Sequence, residues 1–106
     1  MKGQRTGSND PLTQLARLRR EMPPEERAAY DERALAIRTV LELTAHRRKQ
    51  GLSQKAVAER MGVSQPVIAR LEKPFEASWR QPSLSVLSRY AAALGLTLEV
   101  RLRRAA

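Results

Sequence analysis

The chain has 106 residues, with 20 Lys and Arg against 11 Asp and Glu, a formal net charge of +9. That length holds one small domain with a short appendage and excludes a doubly wound sheet or a barrel enzyme with its loops. The lack of cysteine removes disulfides and thiolate metal sites and fits a reducing compartment, and the single histidine, His46, leaves no parts for a histidine metal cluster or a histidine-based triad. No apolar run reaches bilayer-spanning length and the N-terminus lacks the apolar core of a signal peptide, so the expectation is a small soluble cytoplasmic protein. Strong positive charge points towards polyanions, nucleic acid first. The charge is uneven: residues 1–22 carry net +3, residues 23–42 net −2, and residues 43–106 net +8.

Met1 to Asn9 is polar and without apolar period, and reads as disordered. Asp10-Pro11 is a helix start, with Asp at the N-cap and Pro in the first turn, and Leu12, Leu15, Ala16 and Leu18 support a short, weak helix to about Glu21. Residues 1–22 are therefore expected to be a disordered or weakly helical tail. Met22-Pro23-Pro24 breaks the helix, and Glu25-Glu26 places acids in the first turn of a long one. Tyr30, Ala34, Ile37, Leu41 and Thr44 form its apolar stripe, widened by Val40 and Leu43. His46-Arg47-Arg48-Lys49 and Gly51 close it. At ~1.5 Å per residue the helix is roughly 40 Å long, so its N-terminal half is expected to protrude or to pack on something else.

Ser53 caps a helix from Gln54 to Met61, Gly62-Val63 turns the chain, and Ser64 caps another from Gln65 to about Leu71. Lys73 to Gln81 is an irregular loop, and Pro82-Ser83 starts a last helix through Leu94 to Gly95. Leu96, Leu98, Val100 and Leu102 then alternate with Thr97, Glu99, Arg101 and Arg103, the period of a half-buried strand. One strand cannot satisfy its own backbone groups. Two solutions are open: an antiparallel pairing with the same strand of a second copy across a two-fold dimer, or an extended tail packed on the body.

Gly51 to Glu72 carries the functional signal. Two short helices crossing steeply need a small residue at their approach, Ala58. Four residues later the turn needs one that accepts positive φ, Gly62. Inward apolar residues are supplied by Val57, Met61, Val63, Ile68 and Leu71. A chance helix pair rarely fills all these positions, so the stretch reads as a helix-turn-helix.

GLSQKAVAERMGVSQPVIARLE resembles the phage repressor and Cro (Xre-like) helix-turn-helix family over about residues 38–95. The resemblance implies a mainly α, four- to five-helix lambda-repressor-like DNA-binding domain, with the helix from Gln65 to Leu71 in the major groove. The pattern of this chain adds a long N-terminal helix (residues 23–45) ahead of the reading domain (46–95) and, departing from the family, a dimerising strand (96–103). It implies base contacts from Gln65, Pro66, Ala69 and Arg70. Gln65 suits adenine, Arg70 suits guanine or phosphate, and the two short residues suit a thymine methyl. It implies phosphate contacts from Gln54, which also braces Gln65, and from Lys55 and Ser64. Lys73 and Arg80 in the loop are placed to straddle phosphates. Arg47 and Glu72 resemble the family's semi-buried ion pair joining the first and third helices. Departing from the family, the loop after the reading helix is long and lacks glycine. Its Trp79 covers the core, touches the DNA backbone or anchors a protein partner, the DNA reading being the least favoured.

The whole also resembles HigA-like antitoxins of type II toxin–antitoxin pairs. That resemblance implies a small ribonuclease toxin as partner, with Tyr30, Leu35 and Trp79 as its contacts on or beside the mildly acidic extension. The strand paired with its copy gives a homodimer, which presents two reading heads to a palindromic double-stranded DNA operator. The expected protein is cytoplasmic, nucleoid-associated when DNA-bound, and has no catalytic residues, metal or cofactor. A stand-alone repressor and a purely structural polyanion binder are the competing readings; the Gln65 to Arg70 arrangement argues against the latter.

Overall fold

The structure is a computed structural model that describes residues 10–104. Its elements are α1 (Pro11–Glu21), α2 (Pro24–Lys49), α3 (Gln54–Met61), α4 (Gln65–Leu71) and α5 (Leu84–Ala93). Among the described residues no strand occurs, and no helix is long and apolar enough to cross a membrane. The chain divides into two compact units within α2, one ending at Leu35 and the other beginning at Ala36.

The first unit holds α1 and the start of α2. Asp10 accepts from the Leu12 amide at 3.3 Å and the Thr13 hydroxyl at 3.1 Å, satisfying donors that a helix N-terminus leaves orphaned. At the other end of α1, Arg27 donates to the carbonyls of Arg19 (3.2 Å), Arg20 (2.9 Å) and Met22 (3.0 Å). Arg19 forks onto both oxygens of Asp31, at 2.7 and 2.5 Å. No residue of α1 is buried, and Leu12, Leu15 and Leu18 are exposed. The segment expected to be a weak tail thus contains a capped helix, while the reading of Met1 to Asn9 lies outside the described residues.

The second unit holds the hydrophobic core. Val40, Val57, Ile68 and Tyr90 are its largest fully buried side chains. The buried positions of α2 are Ala36, Val40, Leu43, Thr44 and Arg47, which corrects the stripe read from the sequence. Leu41 is exposed and Ile37 only partly buried. The helix carries apolar residues at 35, 36, 37, 40, 41 and 43, so periodicity alone gives no unique phase; packing chooses the side.

α3 ends at Gly62 with φ of 70°. The Gly62 amide donates to Glu59 O at 3.2 Å and the Val63 amide to Ala58 O at 3.0 Å, the paired bonds of a Schellman motif, with Val63 packing on the core. α2 and α5 end in the same way, sending Leu52 and Leu96 onto the core. Ser53 and Ser83 accept from the amides of Ala56 and Val86 to cap α3 and α5. Ser64 stands at the cap position of α4 but its side chain makes no capping bond, contrary to the sequence reading. Arg60 and Gln50 donate to the carbonyls of Ala93 (2.8 Å) and Leu94 (2.9 Å), closing the C-terminus of α5 onto the body.

The segment Leu96 to Leu102 is not a strand in this chain, which corrects the strand expectation. A ladder needs a second extended segment, and none is present among the described residues. Its first half is held by burial instead: Leu96 and Leu98 pack against the core, whereas Val100 and Leu102 are exposed.

Candidate nucleic-acid interface

α3 and α4 pack through Val57, Ala58, Met61, Ile68 and Leu71, all buried, and the turn between them is the Gly62 motif just described. This leaves the opposite face of α4 open. Gln65, Pro66, Val67 and Arg70 are exposed there and Ala69 is half-buried. Val67 was not singled out from the sequence; it falls on the open face between the residues that were.

Behind α4 lies a polar network that begins in the core. Glu72 accepts from Arg47 at both oxygens, Oε2 from Nε and Oε1 from Nη2, each at 2.8 Å. Arg47 Nη1 donates to Leu52 O at 2.8 Å. The side chains of Arg47 and Glu72 are only 9% and 3% exposed. Two more donors reach the carboxylate: Gln54 Nε2 on Oε1 at 2.9 Å and the Tyr90 hydroxyl on Oε2. Gln54 Oε1 in turn accepts from Gln65 Nε2 at 2.7 Å. A continuous hydrogen-bonded path therefore runs from buried Tyr90 to exposed Gln65.

The electrostatics follow. Burial pushes the Glu72 carboxyl up, but donation from Arg47, Tyr90 and Gln54 outweighs it and holds the group below its ordinary value. Hydrogen bonding to Glu72 raises Arg47. Burial, and then the bond to Glu72, pushes the Tyr90 phenol well above its ordinary value. The network is thus ionic at Arg47 and Glu72 and neutral at Tyr90 around pH 7.

The loop after α4 places further cations beside the open face. Arg70, Lys73 and Arg80 share the walls of an open cleft of about 520 Å³ between α4 and the start of α5. Lys55 and Ser64 are exposed on α3 and at the start of α4. Trp79 is buried, and its indole N–H donates to Leu71 O at 2.9 Å, so of its three readings the core cover is the one its surroundings fit. Tyr30 and Leu35 are exposed in the N-terminal unit. Tyr90 was not singled out from the sequence. The signal that points to it is general: a buried tyrosine needs a partner for its hydroxyl.

The Helix-turn-helix domain family matches residues 40–104, which covers this whole arrangement. The chain belongs to the Xre-like helix-turn-helix family. An uncharacterized HTH-type transcriptional regulator of Haemophilus influenzae is 38% identical over 69 residues, 65% of this chain and 66% of that protein. Antitoxin HigA1 of Mycobacterium tuberculosis, in strains CDC 1551 and H37Rv, is 42% identical over 77 residues, 73% of this chain and 49% of that protein. The chain thus spans about two thirds of the first relative and about half of the second. It resembles HigA antitoxins within that span. No solved structure matches it.

Proposed function

We propose that this protein is a sequence-specific DNA-binding antitoxin. In this reading it neutralises a small ribonuclease toxin by direct binding and represses its own operon as a dimer, with α4 in the major groove. The observation that carries the DNA half is the exposed Gln65, held by Gln54 on the open face of α4. A braced glutamine suits the N6 and N7 edge of adenine. Arg70 reads guanine or phosphate, and Pro66 and Ala69 approach a thymine methyl. Lys55, Ser64, Lys73 and Arg80, with Gln54, grip phosphates, which sets register without reading sequence.

Leu96, Leu98, Val100 and Leu102 pair with the same segment of a second copy in the dimer. The exposure of Val100 and Leu102, with no second extended segment among the described residues, supports this. The two reading helices then address half-sites roughly 34 Å apart on a palindromic operator. Support for the toxin half comes from the likeness to proteins named antitoxin HigA1 and from exposed Tyr30 and Leu35 on the acidic part of α2. Trp79, buried in the reading domain, is withdrawn from that contact set.

The competing reading is a stand-alone repressor, favoured by the likeness to a protein named only as a transcriptional regulator. Expression of the small reading frame adjacent to this one, alone and with this chain, separates the two. Growth arrest that this protein relieves, with a complex lost on deleting residues 1–35, supports the antitoxin. A harmless neighbour that does not co-purify leaves the repressor.

A further inference from the structure

We propose that Glu72, buried behind α4, determines which base Gln65 accepts by fixing the direction of its amide. The inference rests on the reading of Gln65 as a base-contacting residue. It starts from the donor inventory of the network. A carboxylate can only accept, and it offers about four lone-pair sites. All are taken in Glu72: two by Arg47, one by Gln54 and one by Tyr90. Gln54 must therefore turn its NH2 group to Glu72 and its carbonyl away. That carbonyl meets Gln65, so Gln65 must turn its own NH2 group inward. The polarity of a buried acid is passed through two amides to the surface.

The consequence is chemical. With one Nε2 hydrogen held by Gln54, Gln65 presents one acceptor and one remaining donor. Adenine offers N6–H and N7, the matching pair, whereas guanine offers two acceptors, O6 and N7. A released Gln65 can turn its whole NH2 group outward and donate to the guanine edge, so loss of the relay relaxes discrimination. Flipping one amide in the intact relay would set two carbonyl oxygens, or two NH2 groups, face to face. The Tyr90 hydroxyl occupies Oε2 beside the arginine fork, and Gln54 takes Oε1. Tyr90→Phe leaves the carboxylate and the Arg47 fork in place, so Gln54 must still donate inward and the polarity survives. Glu72→Gln supplies an NH2 group where only an acceptor stood and so permits the opposite polarity.

The test is selection from a randomised duplex library by the full chain, followed by competition binding of the selected duplex and its single-base variants at fixed salt. Gln65→Ala identifies the base pair that Gln65 reads. At that pair Glu72→Gln is expected to lower adenine-over-guanine preference, by between about fivefold and a hundredfold for complete loss of a bidentate contact, and Tyr90→Phe to leave it unchanged. Preference at every other pair, and affinity for random duplex, should stay at the wild-type level. A merely stabilising role would instead weaken all duplexes alike. Thermal unfolding of each variant accompanies the binding, and Gln54→Leu, which cuts the link between Glu72 and Gln65 and is read by the same loss of preference, retains the test if Glu72→Gln does not fold. If Gln65→Ala relaxes one pair while Glu72→Gln and Gln54→Leu leave preference there unchanged, the positioning role is overturned and the base-reading role stands. If Gln65→Ala relaxes no pair, both fall.

Discussion

Each unit of this chain is held by an arginine forked onto a carboxylate, and the two forks have opposite surroundings. Arg19 and Asp31 join α1 to α2 with side chains 26% and 45% exposed. Arg47 and Glu72 join α2 to the end of α4 at 9% and 3%. The geometry is nearly the same; the solvent is not. Water screens the first pair and solvates either partner if the other is lost. The second is surrounded by the core, and each partner alone would be an uncompensated buried charge. The outer fork tidies a surface hairpin, while the inner one ties the reading helix to the core.

The largest expected effect comes from breaking the inner fork on one side. Arg47→Ala should destabilise the second unit by about 3–5 kcal/mol in urea unfolding, because Glu72 is left buried and charged. Replacing both partners, as Arg47→Met with Glu72→Leu, should recover much of that loss, since an apolar pair of similar volume is often neutral or better. It should not recover the base preference, because the path to Gln65 is gone.

Acid tests the same pair without mutation. The Glu72 pKa is held below its ordinary 4.5, so the unfolded chain takes up the proton first as pH falls. Its contribution to stability is complete above about 4.5 and is lost as pH drops through the lower folded value. The Met and Leu double variant should lack that part of the acid-induced fall when thermal midpoints are compared down the pH series.

Gly62→Ala should cost roughly 1–2 kcal/mol, read by the same unfolding measurement. An added Cβ would meet nothing within 4 Å, so the cost is conformational, from φ of 70°. Smallest of all, Arg19→Ala should leave the unfolding midpoint of the second unit unchanged. A shift comparable with that of Arg47→Ala would erase the contrast between the two forks.

The helix-turn-helix was legible in the sequence because its constraints are local. Ala58 at the approach, Gly62 at the turn and the apolar positions between fall within 22 residues, Gly51 to Glu72, and each is demanded by backbone geometry. The phase of α2 was not, because apolar residues on several sides leave the choice to tertiary packing. The tail shows the reverse case: its period of two is real and Leu96 and Leu98 do turn inward, but period does not supply a partner strand. Tyr90 escaped because its partner, Glu72, lies 18 residues away and only the fold brings them together. Ser64 has the right residue in the right place and still makes no cap bond, which composition cannot reveal.

The most direct test of the proposed base reading by α4 is a comparison of two duplexes at one salt concentration. Wild type and Gln65→Ala would each be titrated with the DNA upstream of this reading frame and with a shuffled duplex of equal length. Wild-type preference for the upstream DNA of about a thousandfold or more is expected, falling by roughly 1–3 kcal/mol in Gln65→Ala with affinity for the shuffled duplex unchanged. Equal wild-type affinity for both duplexes, lost alike from each as salt is raised, would contradict it and leave only a basic protein that binds polyanions.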